Sequence, residues 1–155
     1  MSIDNIVGKW SGSFLYTIPE ASIPVVATRF DLEIVLTTDS LFNGSCIDFE
    51  DDDLQESKIQ GMAENDSIWF RKTYPQFYYW EDDLRLTTLD ELLRSKGINP
   101  SDHFFPENTL SYRGELTSAD EFSGTWLYPA KKFHIYGRQF WELPMSQGVW
   151  SMERI

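Results

Sequence analysis

The segment Phe122-Ser123-Gly124-Thr125-Trp126 places an aromatic residue, a glycine and a second aromatic residue at every second position. Because side chains of a β-strand alternate between its two faces, these three residues share one face. A glycine on that face leaves room for a sharp bend or for a neighbouring ring. Five other segments repeat this spacing, namely Gly8–Gly12, Phe42–Gly44, Ile59–Gly61, Tyr112–Gly114 and Gly148–Trp150. Together they predict a strongly coiled antiparallel sheet that closes around an aromatic interior.

The alternation of apolar and polar residues predicts eight strands. The clearest strand carries Phe30, Leu32 and Ile34 on one face and charged residues on the other, which is typical of a sheet with one wet face. The predicted strands are Val7–Tyr16, Arg29–Leu36, Leu41–Phe49, Glu56–Ala63, Ser67–Tyr74, Thr109–Thr117, Glu121–Tyr128 and Gln147–Arg154. Since the last strand would return beside the first, we expect an all-β, antiparallel, up-and-down, eight-stranded barrel.

One short helix is predicted in the connection between strands five and six. The segment Thr88-Leu89-Asp90-Glu91 fits a capping box, and Gly97 is well placed to end the helix. The flanking pieces Tyr78–Trp80 and His103–Pro106 are unusually aromatic for a linker. We therefore expect this connection to fold back over one end of the barrel.

Length and composition favour a single domain over residues 1–155. A chain of this size buries a substantial core without metal or disulfide support, and Cys46 is its only cysteine. The 25 acidic and 13 basic side chains give a net charge of −12, which disfavours binding to nucleic acid or to an anionic membrane. Met1–Asn5 does not resemble the start of a secretory signal, and no segment approaches the ~20 apolar residues of a membrane span. We expect a cytoplasmic protein without membrane insertion; the alternative is a mature secreted form whose signal has been removed, and the oligomeric state stays open.

The two ends of the chain resemble the lipocalins and the wider calycin group. The resemblance rests on Gly8-Lys9-Trp10 in the first strand and Arg154 in the last, while Gly124-Thr125-Trp126 is similar to strands of the avidins, another calycin family. In that group a tryptophan of the first strand closes one barrel end and an arginine of the last strand packs across it. The resemblance implies a lipocalin-like barrel that binds a small molecule.

Three departures from the calycin pattern leave the ligand unidentified. The chain lacks a Thr-Asp-Tyr segment, a disulfide pair, and the Arg-x-Tyr pairing with which fatty-acid-binding proteins hold a carboxylate. The predicted residues of barrel closure are Trp10, Trp126, Trp150 and Arg154. We expect the Arg154 guanidinium to stack on the Trp10 indole; the alternative is an Arg154 frayed in solvent near the chain end.

Strand parity predicts two charged side chains inside the barrel, Lys72 on strand five and Asp48 on strand three. An unpaired buried charge is expensive, so these residues should pair, contact water or lie near the mouth. They form either the polar anchor of a ligand pocket or a structural ion pair. The further alternative is that the assignment of inward and outward positions on these strands is wrong. The candidate ligand-binding residues are Asp48, Phe70, Lys72, Tyr74 and Tyr112.

Other chemistry finds little support in the sequence. His103 and His134, the only histidines, fall in long connections without a His/Cys cluster, so no metal or cofactor is expected. Cys46 is predicted on an inner face as an inert, packed thiol. The acidic run Glu50–Asp53 lacks the glycine and the spacing of a calcium loop and is interpreted as a solvated hairpin.

Three classes of function remain. The first is a non-enzymatic protein that takes a small apolar or amphipathic molecule into the barrel. The second is a barrel filled by its own side chains that acts through its surface as an interaction or regulatory module, since eight-stranded barrels occur in both forms. The third is an enzyme with Asp48 or a loop histidine as acid or base.

Overall fold

The computed structural model describes residues 6–16, 27–36, 38, 40–50, 53–75, 78–80, 86–99, 108–135, 138–143 and 145–155. Their elements are β1 (Gly8–Tyr16), β2 (Thr28–Leu36), β3 (Leu41–Glu50), β4 (Asp53–Glu64), β5 (Ser67–Tyr74), β6 (Tyr78–Trp80), β7 (Leu86–Thr88), α1 (Leu89–Ser95), β8 (Asn108–Ser118), β9 (Glu121–Tyr128), β10 (Lys131–Ile135), β11 (Arg138–Leu143) and β12 (Ser146–Arg154).

Eight of these strands form a closed antiparallel barrel in the spatial order β1-β12-β9-β8-β5-β4-β3-β2. Each barrel strand pairs with the next barrel strand along the chain, and β12 returns beside β1. The predicted all-β, up-and-down, eight-stranded barrel is therefore confirmed. Closure pairs both lateral edges of the sheet, so these strands present no open edge to another chain.

The helix and its boundaries are also confirmed. Thr88 is the N-cap of α1, and its hydroxyl accepts a hydrogen bond of 3.2 Å from the Glu91 backbone N–H. At the other end Gly97 has a φ of +74°, and the Gly97 and Ile98 amides donate to the carbonyls of Arg94 and Leu93. This pair of bonds is a Schellman motif, which requires the left-handed conformation that glycine adopts readily.

Two small sheets outside the barrel were not predicted. The strand β6 pairs with β7, and β10 pairs with β11. The acidic run Glu50–Asp53 forms a hairpin in which Glu50 pairs with Asp53, while Asp51 and Asp52 lie outside the described residues. His103–Pro106 also lie outside them, so the expected folding of that connection over the barrel stays a prediction.

The barrel has two different ends. At the closed end β1 begins and β12 ends, and the two-residue turns Asn65–Asp66 and Ala119–Asp120 join neighbouring strands. At the loop end three longer connections join β1 to β2, β5 to β8 and β9 to β12. The closed-end half of the interior is filled with apolar side chains, among them Trp10, Leu32, Ile34, Phe42, Ala63, Ile68, Phe122 and Met152.

A layer of aromatic rings fills the middle of the barrel. The rings of Phe70 and Tyr112 stack with centroids 4.8 Å apart, and Trp150 meets Phe70 edge-on at 5.6 Å. Trp150 lies against Gly114, where an added Cβ would come within 2.5 Å of its ring. Gly114 faces Gly124 directly across β8 and β9, and a Cβ on Gly124 would overlap the Arg113 carbonyl. These two glycines therefore allow the strands to bend closely around the indole.

The first and last strands meet at the closed end as the sequence predicts. The Arg154 guanidinium lies 4.5 Å from the centre of the buried Trp10 ring and donates to the Val7 carbonyl at 2.9 Å. Its Nε donates to the Asp120 carboxylate at 3.2 Å. The stacking prediction is confirmed, and the frayed alternative is wrong. Of the other proposed closure residues, Trp150 lies in the middle layer, and Trp126 lies nearer the loop end, where its indole donates to the Leu15 carbonyl.

We expect Arg154→Ala to lower the melting temperature by a few degrees, because a cation–π contact is worth ~0.5–2 kcal/mol and one kcal/mol corresponds to about 2–4 °C in a chain of this size. The matched control is Arg29→Ala. Arg29 also covers a ring, at 4.6 Å from Phe49, but it pairs with Asp31 on its own strand and does not join the chain ends. Thermal unfolding followed by circular dichroism measures both. An Arg154→Ala protein that melts like the parent contradicts the role given to this contact.

Candidate functional site

Polar side chains inside the barrel are confined to its loop-end half. Among the described residues, the buried polar or charged side chains are Thr28, Asp48, Gln55, Ser57, Lys72, Asn108 and Ser146. All of them lie in strand segments nearer the loop end than the aromatic layer. Because buried polar groups need partners, this half of the interior is built around interactions other than apolar packing.

An ion pair lies at the centre of this polar half. Lys72 and Asp48 are 1% and 0% exposed, and Lys72 Nζ lies 2.5 Å from Asp48 Oδ1. The Tyr74 hydroxyl donates to the other carboxylate oxygen, and Cys46 Sγ donates to Asp48 Oδ1 at 3.6 Å. Of the alternatives open from the sequence, the parity assignment and the pairing of the two charges are confirmed. The Asp48 carboxylate accepts from three donors, which leaves it poorly placed to act as a base.

The Lys72 ammonium is also surrounded by aromatic rings. It lies 5.0 Å from the ring centre of Phe14, 5.3 Å from Phe30, and 5.4 Å from both Tyr74 and Tyr112. Ring faces attract a cation within about 6 Å, and more strongly where water is excluded. One carboxylate and four rings thus compensate a charge that the barrel buries completely.

Two buried hydroxyl groups in this region, Ser57 Oγ and Tyr112 Oη, make no hydrogen bond of good distance and angle with a described residue. Each has only a weak polar contact, Ser57 with the Cys46 thiol and Tyr112 with the Lys72 ammonium. Ser57 pairs in register with Cys46, and Tyr112 packs beside Lys72, so both belong to the same region. Leaving such a group unsatisfied costs about 1–3 kcal/mol, which calls for a physical explanation.

We use the name internal polar cluster for Cys46, Asp48, Ser57, Lys72, Tyr74 and Tyr112.

The electrostatics of this region keep Cys46, Lys72, Tyr74 and Tyr112 protonated near neutral pH. Burial raises the pKa of the Cys46 thiol to about 12 and raises the pKa values of Tyr74 and Tyr112 well above their usual range. Burial alone lowers the pKa of Lys72, but the acidic groups around it, Cys46, both tyrosines and Asp48, raise it by more. Lys72 therefore stays a cation and Cys46 a neutral thiol near neutral pH. Neither is a nucleophile in this state.

Four of the five predicted ligand-binding residues come together in the internal polar cluster. Asp48, Lys72, Tyr74 and Tyr112 are all members. Phe70 belongs instead to the aromatic layer beneath it, stacked on Tyr112 and 6.4 Å from the Phe42 ring centre. Phe70 therefore borders the internal polar cluster on its closed-end side.

Sequence reasoning missed the polar residues at the rim. Tyr128 donates to Asn108 Oδ1 at 2.7 Å, and Asn108 pairs in register with Tyr74. Ser146 pairs with Tyr128 at the start of β12. The sequence carried a signal for both residues, because each lies an even number of positions from the inward-facing residues of its own strand. The predicted strands began one residue too late to include them.

The described part of the chain has neither a metal-ligand cluster nor a membrane-spanning helix. No group of three or more His, Cys, Asp or Glu side chains there could hold a metal ion. No helix there is long and apolar enough to cross a membrane. His134 lies in β10, and His103 lies outside the described residues.

Comparisons with known proteins support the fold alone. No family model matches the chain, and no curated protein matches it. A solved structure of a redesigned β-barrel is similar, with a TM-score of 0.53 and 10% sequence identity over 100% of this chain and 99% of that chain. The closed barrel and the contact between Trp10 and Arg154 are compatible with the calycin resemblance.

Alkaline pH should destabilise the protein through the internal polar cluster. The folded-state pKa values of Cys46, Tyr74, Tyr112 and Lys72 lie above their ordinary values of 9.0, 10.0, 10.0 and 10.5. The folded state therefore keeps protons that the unfolded state loses. The stability that these groups contribute is fully present below their unfolded-state pKa values. It is lost as the pH rises through their folded-state pKa values. Urea unfolding should show a free energy of unfolding that falls from about pH 9 upward.

Tyr112→Phe is the matched variant for this measurement. The substitution removes one group with a raised pKa together with an unpartnered hydroxyl. The variant should therefore be at least as stable as the parent at neutral pH, and its free energy of unfolding should fall less steeply at higher pH. A parent stability that stays flat across the alkaline range contradicts the assigned protonation states.

Proposed function

We propose that the protein binds a small, uncharged, amphipathic molecule in the loop-end half of the barrel. The observation that carries the proposal is the confinement of all described buried polar side chains to that half, around the Lys72–Asp48 pair. Binding pockets combine apolar walls with a few convergent polar groups, and this region has both. An acidic chain with one cysteine fits a cytoplasmic binding protein.

Stability alone gives no reason to keep the internal polar cluster. A buried ion pair seldom stabilises a fold more than well-packed apolar residues of similar volume, because desolvation offsets the attraction between the charges. The hydroxyls of Ser57 and Tyr112 add a further cost while they remain unpartnered. A bound molecule that supplies their missing hydrogen bonds accounts for both features.

The hydrogen-bond inventory defines the chemistry of the ligand. The acceptor atoms of Asp48 are already used by three donors, whereas the Ser57 and Tyr112 hydroxyls and the remaining N–H groups of Lys72 are donors in excess. The complementary group is an acceptor oxygen, such as a carbonyl. The ligand carries no net charge, because Lys72 and Asp48 already neutralise each other and another buried charge would stand uncompensated.

The apolar part of the ligand is small. The closed-end half and the middle of the barrel are filled by the protein's own rings, so the ligand occupies only the region between Phe14, Phe30 and the rim. Both unpartnered hydroxyls are shielded from solvent, so binding requires a side chain to move. Tyr74 is suited to this, since it is the last residue of β5 and is only partly buried.

An enzymatic function receives less support. Proton transfer needs a group whose pKa lies near the working pH, and the shifts of Cys46, Lys72, Tyr74 and Tyr112 all lead away from neutrality. Cys46, Lys72, Tyr74 and Tyr112 therefore keep their protons near neutral pH. Such an arrangement suits recognition of a ligand rather than its conversion.

A ligand screen tests the proposal. An uncharged naphthylamine dye reports occupancy by fluorescence, and medium-chain alcohols, aldehydes and methyl ketones compete for it. Ketones and aldehydes should displace the dye best. Ser57→Ala should weaken their binding about tenfold, since one lost hydrogen bond of ~1.4 kcal/mol corresponds to that factor. Ser123→Ala, which removes a hydroxyl from the outer face of β9, is the control and should change nothing.

Two results would overturn the proposal. One is the absence of saturable dye or competitor binding together with a native mass spectrum that contains only the bare chain. The other is saturable binding that Ser57→Ala and Tyr112→Phe leave unchanged, because the ligand would then lie elsewhere.

A further inference from the structure

The outer surface carries a face without acidic residues. Two adjacent rows of outward side chains run across β4, β5, β8, β9 and β12. The first row joins Met62, Trp69, Arg113, Thr125 and Val149. The second runs from Gln60 through Arg71, Ser111 and Leu127 to Gln147. Neither row contains Asp or Glu, although the chain has 25 of them.

Within the described residues, the cations of this face have no carboxylate partner. Arg71 and Arg113 are exposed, and neither forms an ion pair with another described residue. The nearest acidic side chains on the outside of β4 and β8, Glu64 and Glu115, lie one row closer to the closed end, on either side of Ser67. We call the two rows the basic face. It is a local positive region on a chain with a net charge of −12.

Apolar side chains accompany these cations. Met62, Leu127 and Val149 are 38%, 41% and 44% exposed. Trp69 is half-buried beside both arginines, opposite Arg113 and two residues from Arg71 on β5. A groove across β5, β8, β9 and β12 includes Trp69, Arg113 and Thr125 in its lining and has no acidic residue there. A second groove shares these three residues but extends toward the closed end, where Glu64 and Glu115 also line it. Tryptophan and arginine are the residues most enriched among the strong contacts of protein interfaces.

The dimensions of the basic face limit its occupant. Five strands span about 19 Å at ~4.8 Å between neighbours, and two rows add about 7 Å along the strands. This area is well below the ~800 Å² that each partner contributes to a standard interface. A globular domain or a second copy of the chain would also cover the row of Glu64 and Glu115 on the closed-end side. An extended segment of about six residues covers the face and no more.

We propose that the basic face binds a short, extended, acidic segment of a partner protein. Carboxylates of the segment pair with Arg71 and Arg113, and an apolar side chain next to them packs against Trp69. Charge complementarity favours this occupant, because the face gathers unpaired arginines on a chain that otherwise repels acidic molecules. The basic face lies on the outside of the barrel, so this inference is independent of ligand binding inside it.

A labelled peptide tests the inference. The probe is a fluorescein-labelled peptide with the core Glu-Ser-Glu-Ser-Leu, which puts both carboxylates and the leucine on one face of an extended chain. The two carboxylates are then about 7 Å apart, close to the ~7–8 Å diagonal between Arg71 and Arg113. Fluorescence anisotropy at low salt should show saturable binding that weakens as salt is added. The same peptide with Gln in place of each Glu is the control and should not bind.

Variants of the protein locate the site. Arg71→Glu and Arg113→Glu should each weaken peptide binding by about tenfold or more. Lys9→Glu, on the outer face of β1, changes the net charge equally and should have little effect. Circular dichroism checks that all three variants fold.

Three results would overturn the inference. The first is absence of peptide binding to the parent protein. The second is equal weakening by Lys9→Glu, which would show that only the overall charge matters. The third is binding of a single-stranded oligonucleotide as tightly as the peptide, which would show a general affinity for polyanions.

Discussion

The close approach of two strands at Gly114 and Gly124 is the constraint on which the rest of the structure depends. These residues face each other across β8 and β9, and the Trp150 indole donates to the Arg113 and Thr125 carbonyls beside them. The bend at this point lets eight strands close around rings that would otherwise not fit. Once the barrel is closed, parity places every second side chain inside, and the aromatic layer follows from that geometry.

The aromatic layer divides the interior into two environments. On one side, short turns and the contact between Trp10 and Arg154 join the strands at an apolar end. On the other side, long connections enter, and polar side chains share the inward positions with rings such as Phe14 and Phe30. The buried charges of Lys72 and Asp48 are tolerated there because each has partners within the barrel. The two ends are therefore built differently, one to hold the sheet together and the other to present hydrogen-bonding groups.

Sequence patterning predicted the barrel well because period-two alternation is a strong signal in strands of eight or more residues. The predicted strands Ser67–Tyr74 and Glu121–Tyr128 agree with β5 and β9 at both ends. The strand β4 begins earlier than predicted, within an acidic segment that was interpreted as a loop. The strands β6 and β7 have three residues each, which is too few to show a period.

The candidate site could be predicted only in part. Parity placed Lys72 and Asp48 inside, but their contact depends on the curvature that brings β5 and β3 together across β4. The unpartnered hydroxyls of Ser57 and Tyr112 could not be foreseen, since a missing partner is a property of the packed interior. The basic face required the register of five strands, because its two rows are far apart in the chain.

The central claim is that the Lys72–Asp48 pair serves binding rather than the stability of the fold. The most direct test is the free energy of unfolding of Asp48→Leu/Lys72→Met, measured in urea beside Lys72→Met alone. The single variant leaves a buried, uncompensated carboxylate and should lose about 3–5 kcal/mol. The double variant should be at least as stable as the parent while losing the ligand. A double variant as unstable as the single one would show that the pair holds the barrel together, and would contradict the claim.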